Sequence, residues 1–146
     1  MKFSDSFDVD APINKVYFTL TNPDAISKSL PDLQSMEVLD EDKFKAKFKV
    51  GMSYIRGSVN LDFQFKNKIE NKHATVLGHG SGLQSSIDLV IDFDLMENNG
   101  LTKVDWSADA KVGGLIAGVG SKLLEGSTKK QIDKLVQSLK ELIEQS

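Results

Sequence analysis

The stretch Gly113-Gly114-Leu115-Ile116-Ala117-Gly118-Val119-Gly120 marks the point where this chain changes from one periodicity to another. Before it, the residues from Asp32 to Val112 follow the period of two that puts successive side chains on opposite faces of a strand. After it, Leu115, Val119, Leu123, Leu124, Thr128, Ile132, Leu135, Val136, Leu139, Leu142 and Ile143 recur at near-helical spacing. A domain that builds a sheet first and closes with one long helix must bury the apolar face of each against the other. The order predicts an α+β fold in which a curved antiparallel sheet wraps around a C-terminal helix running from near Leu115 to near Gln145. Such an arrangement leaves a cavity between sheet and helix, which points to binding before catalysis.

Working back from that junction, the cleanest strand is Lys43 to Val50. Lys43, Lys45, Lys47 and Lys49 share one face, and Phe44, Ala46, Phe48 and Val50 the other. Ile55, Gly57, Val59, Leu61, Phe63 and Phe65 share a face of the next strand, and Ala74 to Leu83 forms a glycine-broken one. Ile87, Leu89, Ile91, Phe93 and Leu95 alternate with polar residues. Asn98-Asn99-Gly100 is a turn, after which Thr102, Val104, Trp106, Ala108, Ala110 and Val112 share a face. With Met36 and Val38, and with Phe3, Phe7 and Val9 interrupted by Asp5, the chain makes about seven strands joined as a meander. Two short helices separate the first strand from the rest. Asp10 is placed to cap one, with Pro12 in its first turn and Ile13, Val16, Tyr17 and Leu20 on one stripe. Asn22 caps the other, with Pro23 at its first position and Pro31 as the stop.

The 146 residues fit a single domain spanning 1–146. The absence of cysteine removes disulfides, thiolate chemistry and sulfur-ligated zinc. With 18 Lys+Arg against 21 Asp+Glu, the net charge of -3 offers no general attraction to nucleic acid. The N-terminus lacks the charged-then-apolar pattern of a secretion signal, and no apolar run reaches the roughly 20 residues of a spanning helix. A cytoplasmic location is expected, with any membrane contact peripheral.

The glycine-rich segment is not a phosphate loop, because it ends Gly120-Ser121-Lys122 rather than Gly-Lys-Ser/Thr. Two readings stay open for Gly118 and Gly120: close approach of the helix to the sheet, or a compliant entrance to the cavity. Leu115, Ile116 and Val119 cannot all face inward if a helix starts there, so Ile116 is expected to be exposed as a wedge for lipid or protein. His73 falls in a polar turn and reads as solvated. His79, between Gly78 and Gly80, shares the parity of Leu77 and is placed to face the cavity as a polar contact. Asp88, Asp92, Asp94 and Glu97 read as a solvated face rather than a metal site, since no calcium-loop spacing surrounds them. The lysines of Lys43 to Val50 point away from Phe44 and Phe48, so they do not form a base-stacking surface. No metal, cofactor or catalytic triad is expected.

The order of strand, two short helices, meander and long C-terminal helix resembles the START-like helix-grip (SRPBCC) superfamily, which includes polyketide cyclases and plant carriers of hydrophobic ligands. Several motifs narrow the resemblance to the carbon monoxide dehydrogenase CoxG family. They are Phe7-Asp8-Val9-Asp10-Ala11-Pro12-Ile13-Asn14-Lys15-Val16-Tyr17, Asn22-Pro23-Asp24-Ala25-Ile26 with Leu30-Pro31, and Val50-Gly51 with Gly57. Leu77-Gly78-His79-Gly80-Ser81-Gly82 and Thr102-Lys103-Val104-Asp105-Trp106 leading into Gly113 to Gly120 complete them. The sequence departs at Asp32, where the family commonly has glycine, and at Met52, where proline often follows the valine-glycine pair. It also stops at Ser146, where many longer members continue into an extension and membrane anchor. The resemblance implies an apolar cavity for a lipid-like or quinone-like molecule and a role in recruiting or maturing a molybdenum hydroxylase at the membrane.

The expected ligand is therefore a hydrophobic small molecule, held without catalysis by Phe48, Val59, Leu61, Phe63, Leu77, His79, Leu89, Ile91, Phe93, Trp106, Leu115, Val119 and Leu123 between the sheet and the first half of the helix. A cyclase- or hydrolase-like enzyme using His79, Tyr54 or Arg56 is one rival. An adaptor with a filled interior is the other.

Overall fold

Alternation in the middle of the chain and helical spacing at its end each produce the element they predict. The computed structural model describes residues 1–146. Strand β1 (Lys2–Val9) is followed by α1 (Ile13–Thr21) and α2 (Pro23–Ser27). Then come β2 (Leu33–Asp40), β3 (Lys43–Met52), β4 (Ile55–Ile69), β5 (His73–Gly82), β6 (Ser85–Asn98) and β7 (Leu101–Gly114). A 3₁₀ turn at Ile116–Val119 leads into α3 (Ser121–Gln145). The seven strands form one antiparallel sheet in the order β1-β7-β6-β5-β4-β3-β2. Strands β2 to β7 each pair with their sequence neighbour through short turns. The helices carry the chain from β1 across to β2, so that β1 is free to pair with β7.

The caps differ between the two short helices. Asn22 Oδ1 accepts the Ala25 N–H at 3.0 Å, with Pro23 at the first helical position, as the sequence predicts. Asp10 does not cap α1. Pro12 occupies the cap position in an extended conformation and no side chain accepts the first N–H groups. The reason is that the chain turns one step earlier, where the Ala11 N–H donates to the Val9 carbonyl at 3.0 Å.

The long helix also starts later than its apolar stripe suggests, at Ser121 rather than near Leu115. Gly114 and Gly120 hold φ of 83° and 99°, a conformation open to glycine because it has no Cβ, and they bracket the 3₁₀ turn. The Leu115 N–H donates to the Gln84 carbonyl at 3.0 Å and the Ile116 N–H to Ser85 Oγ at 2.9 Å, which ties the turn to the β5–β6 hairpin. This rotation reverses the expected facing: Ile116 is buried at 3% and Leu115 is 39% exposed. No atom lies within 4 Å of a Cβ built on Gly118 or Gly120, so close approach of helix to sheet is not their role.

Buried side chains gather in three clusters. The largest packs α1 and the end of α3 on the sheet through Val9, Val16, Leu20, Phe93, Leu139 and Ile143. Ile55, Val59, Ile116 and Leu124 close the opposite end, and Phe44, Ala46 and Phe65 form the third cluster on β3 and β4.

Candidate ligand-binding cavity

Register decides which side chains look toward α3. Leu61, Phe63 and Phe65 lie opposite Gly80, Gly78 and Val76, while Leu89, Ile91 and Phe93 lie opposite Gly78, Val76 and Ala74. Residues paired across a ladder share a face, so the inward row of β5 is Ala74, Val76, Gly78 and Gly80. Leu77 and His79 therefore point to the outer face, contrary to the sequence expectation. Two of these four positions, Gly78 and Gly80, are glycines because little room is left for a side chain there. A Cβ on Gly80 would stand 2.1 Å from the Asn60 carbonyl oxygen and 2.7 Å from Leu61 Cδ2.

A cavity of about 160 Å³ lies between this inward face and α3, and all seventeen residues that line it are apolar. Phe63, Phe65, Val76, Ile91 and Phe93 supply its floor from β4, β5 and β6. Phe7, Val104, Trp106 and Ala108 continue the floor across β1 and β7, and Phe44 adds the β3 side. The ring of Phe63 stacks on Phe44 with centroids 4.9 Å apart, and Phe48 meets it edge-on at 6.2 Å. Leu20, Ile26 and Leu30 from the two short helices and the turn that follows close one end. Ile132, Leu135, Val136 and Leu139 of α3 form the roof.

The roof is the middle and second half of α3, not its first half as expected. Between Leu124 and Ile132 the inward stripe is interrupted by Gly126, Ser127 and Thr128, and the Thr128 hydroxyl donates back to the Leu124 carbonyl of its own helix at 2.8 Å. That first half offers little apolar surface to bound a cavity.

Of the side chains the sequence assigned to the ligand, Phe63, Ile91, Phe93 and Trp106 line the cavity. The others lie elsewhere for separate reasons. Val59 is buried in the cluster beneath Ile116, with Phe48 packed partly against it, and Leu61 is buried over Gly80. Leu89 faces inward but closes against Gly78 beside Phe63. Val119 and Leu123 border an open surface groove with Met52, Ser53 and Lys122, and Leu115 sits on the surface nearby. None of Gly113 to Gly120 lines the cavity, so this segment is not its entrance. Leu20, Leu135 and Leu139 also line the cavity, and in the sequence they stand out only as members of helix stripes. Their helical spacing was the available signal.

On the outer face, polar side chains of β5 pair with carboxylates of β6. His79 Nδ1 lies 2.6 Å from Asp88 Oδ1 and His73 Nδ1 lies 2.9 Å from Asp94 Oδ1, while the Thr75 hydroxyl donates to Asp92 at 2.5 Å. His73 is thus a member of β5 held by a carboxylate, not the solvated turn residue expected. Burial raises the Tyr17 phenol above its ordinary value, and its hydroxyl donates to the His73 carbonyl at 3.2 Å. A hydrogen bond to Asp42 raises Lys68. Neither group lines the cavity.

A seven-stranded antiparallel sheet closed by a long C-terminal helix, with two short helices after the first strand, defines a START-like helix-grip protein. The chain belongs to the carbon monoxide dehydrogenase CoxG family, whose model matches residues 6–144. A conserved protein from Geobacillus kaustophilus is similar in structure, with a TM-score of 0.89 at 24% identity over 98% of this chain and 95% of that one. A START superfamily protein from Mycobacterium smegmatis has a TM-score of 0.75 at 13% identity over 99% and 97% of the two chains. A protein from Thermus thermophilus has a TM-score of 0.72 at 11% identity over 98% and 97%. No curated relative matches the sequence.

Proposed function

We propose that this chain binds a small molecule with an apolar, lipid-like or quinone-like part in the cavity under α3, and acts by holding it rather than converting it. The observation that carries the reading is the lining, which has no polar residue among its seventeen. Such a site takes hydrocarbon or an aromatic ring and offers no hydrogen bond to a reacting group. A bound apolar molecule gives these side chains dispersion contacts that they lack across the unfilled space. The cyclase- or hydrolase-like alternative needs a reactive group at the ligand, and His79, Tyr54 and Arg56 stand outside the lining.

Trp106 is the only tryptophan and lies in the cavity wall, so binding is read from its fluorescence. Titration with n-butylbenzene, 1-octanol or a short-tailed quinone is expected to give a saturable change in the parent. Ala108→Phe, which fills the cavity from its floor, is expected to abolish it. No response to any of the three, or an equal response in the variant, overturns the reading.

By likeness to the family, the proposal extends to a partner of the molybdenum hydroxylase class and to a peripheral membrane contact. No helix is long and apolar enough to cross a membrane. The surface suited to such a contact carries Tyr54, 72% exposed, with Leu115, Leu123, Arg56 and Lys122. Loss of co-sedimentation with anionic vesicles on combining Tyr54→Asp and Leu115→Asp is expected, and unchanged sedimentation removes the membrane from the proposal.

A further inference from the structure

The cavity shares part of its wall with the protein surface. Phe7, Trp106, Ile132 and Val136 line both the cavity and an open groove of about 440 Å³ between β1 and the middle of α3. On the groove side these four are joined by Asp5, Lys129, Asp133 and Gln137. Asp5 is the residue that interrupts the apolar row of β1. Its ladder partner is Trp106, which places its side chain on the inward row beside the shared wall. The Asp5 carboxylate accepts the Ser6 backbone N–H at 2.8 Å and joins no ion pair, whereas Asp133 is paired with Lys129 at 3.3 Å. Lys2 also borders the groove, but strand alternation turns its side chain to the opposite face of β1 from Asp5.

We propose that this groove is the mouth of the cavity and holds the polar end of an amphiphile, with Asp5 selecting a head group that donates hydrogen bonds and carries no negative charge, such as a hydroxyl or an ammonium. The inference rests on the reading of the cavity as a binding site. Inside, a head group would lose its hydrogen bonds to water and find no replacement, because every lining residue is apolar. The polar groups next to the shared wall are those of the groove. An apolar cavity of about 150 Å³ in another protein admits one benzene. The 160 Å³ here is matched to one ring or to the last few carbons of an alkyl chain, leaving the head at the wall. There Asp5 is the carboxylate without a cation. It accepts from a hydroxyl or an ammonium and repels a carboxylate.

Calorimetric titration with octylammonium, 1-octanol and octanoate, each below its micellar concentration, separates the head from the tail because the octyl chain is common to all three. Octylammonium and octanol are expected to bind, with octanoate about fivefold weaker than octylammonium, the upper range for a solvent-exposed charge pair. Asp5→Asn is expected to bring octylammonium and octanoate within about twofold of each other and to leave octanol unchanged. Circular dichroism and the denaturation midpoint of the variant establish that its fold is the parent's. Octanoate binding as tightly as octylammonium, or an Asp5→Asn variant that keeps the parental order, overturns the head-group assignment and leaves the cavity reading standing. Binding of none of the three overturns the head-group assignment, and together with no Trp106 response to n-butylbenzene or the quinone it overturns the cavity reading as well.

Discussion

Phe63 lies directly across the β4–β5 ladder from Gly78, and a Cβ at Gly78 would stand 3.1 Å from Phe63 Cε1 and 3.3 Å from Leu89 Cβ. The aromatic ring that forms part of the cavity floor therefore rests on bare backbone. Gly80 repeats the device one pair along, but there the obstacle is the Asn60 carbonyl oxygen itself, at 2.1 Å.

These two glycines respond differently to a methyl group. Gly78→Ala meets a side chain that can shift into the cavity, so it is expected to cost about 1 kcal/mol and to weaken ligand binding. Gly80→Ala meets backbone that cannot yield cheaply and is expected to cost about 3 kcal/mol. Urea denaturation of both variants checks this. Equal losses would show that the ring is not the element that moves.

Burial along α3 is uneven, and charge substitutions report it. Leu139→Asp places a charge in the main core and is expected to cost several kcal/mol, on the order of 3 to 5. Leu123→Asp, at a residue 45% exposed, is expected to stay within about 0.5 kcal/mol of the parent. A matching loss at both positions would mean that the first half of the helix is packed after all.

Tyr17 gives a pH signature. At neutral pH, Tyr17→Phe loses the hydrogen bond to the His73 carbonyl and is expected to cost about 1 kcal/mol. Because burial raises the folded-state value of the phenol, its contribution is fully present below about pH 10 and is lost as pH rises through that raised value. Lys68, raised by its hydrogen bond to Asp42, has the same sign. Stability of the parent should fall above pH 10, and less steeply in Tyr17→Phe, where only the Lys68 share of the slope remains. Parallel profiles from denaturation at stepped pH would refute the assignment to Tyr17.

Leu83 and Gln84 form the two-residue turn between β5 and β6 with φ of 53° and 54°, a conformation that costs an L-residue about 1–2 kcal/mol. Leu83 compensates by packing its side chain over Gly57. Gln84 is exposed and has no such return. Gln84→Gly is expected to raise stability by about 0.5–1 kcal/mol, read as a higher denaturation midpoint with an unchanged slope. A lower midpoint would mean that the glutamine side chain holds the turn.

The order and kind of the elements are legible in the chain because their signals are local. The strict alternation of Lys43 to Val50, the Asn22-Pro23 cap and the Asn98-Asn99-Gly100 turn each specify their own backbone without reference to a distant partner. The stripe from Leu124 to Ile143 likewise required a helix with a buried face. Which face of β5 is the inside was settled by its pairing across the sheet. Its inward residues include Gly78 and Gly80, which have no side chain to mark a face, so the alternation of Leu77 and His79 suggests the opposite parity to the one that pairing with Phe63 and Leu89 imposes. Only the structure placed the cavity under Ile132 to Leu139 rather than over Leu115 to Leu123, since a cavity belongs to several converging faces and to none of them singly. Asp5 shows both halves of the division. Its break in the apolar row was visible in the sequence, but the chemistry available to it depended on the β1–β7 ladder that sets it across from Trp106 at the shared wall.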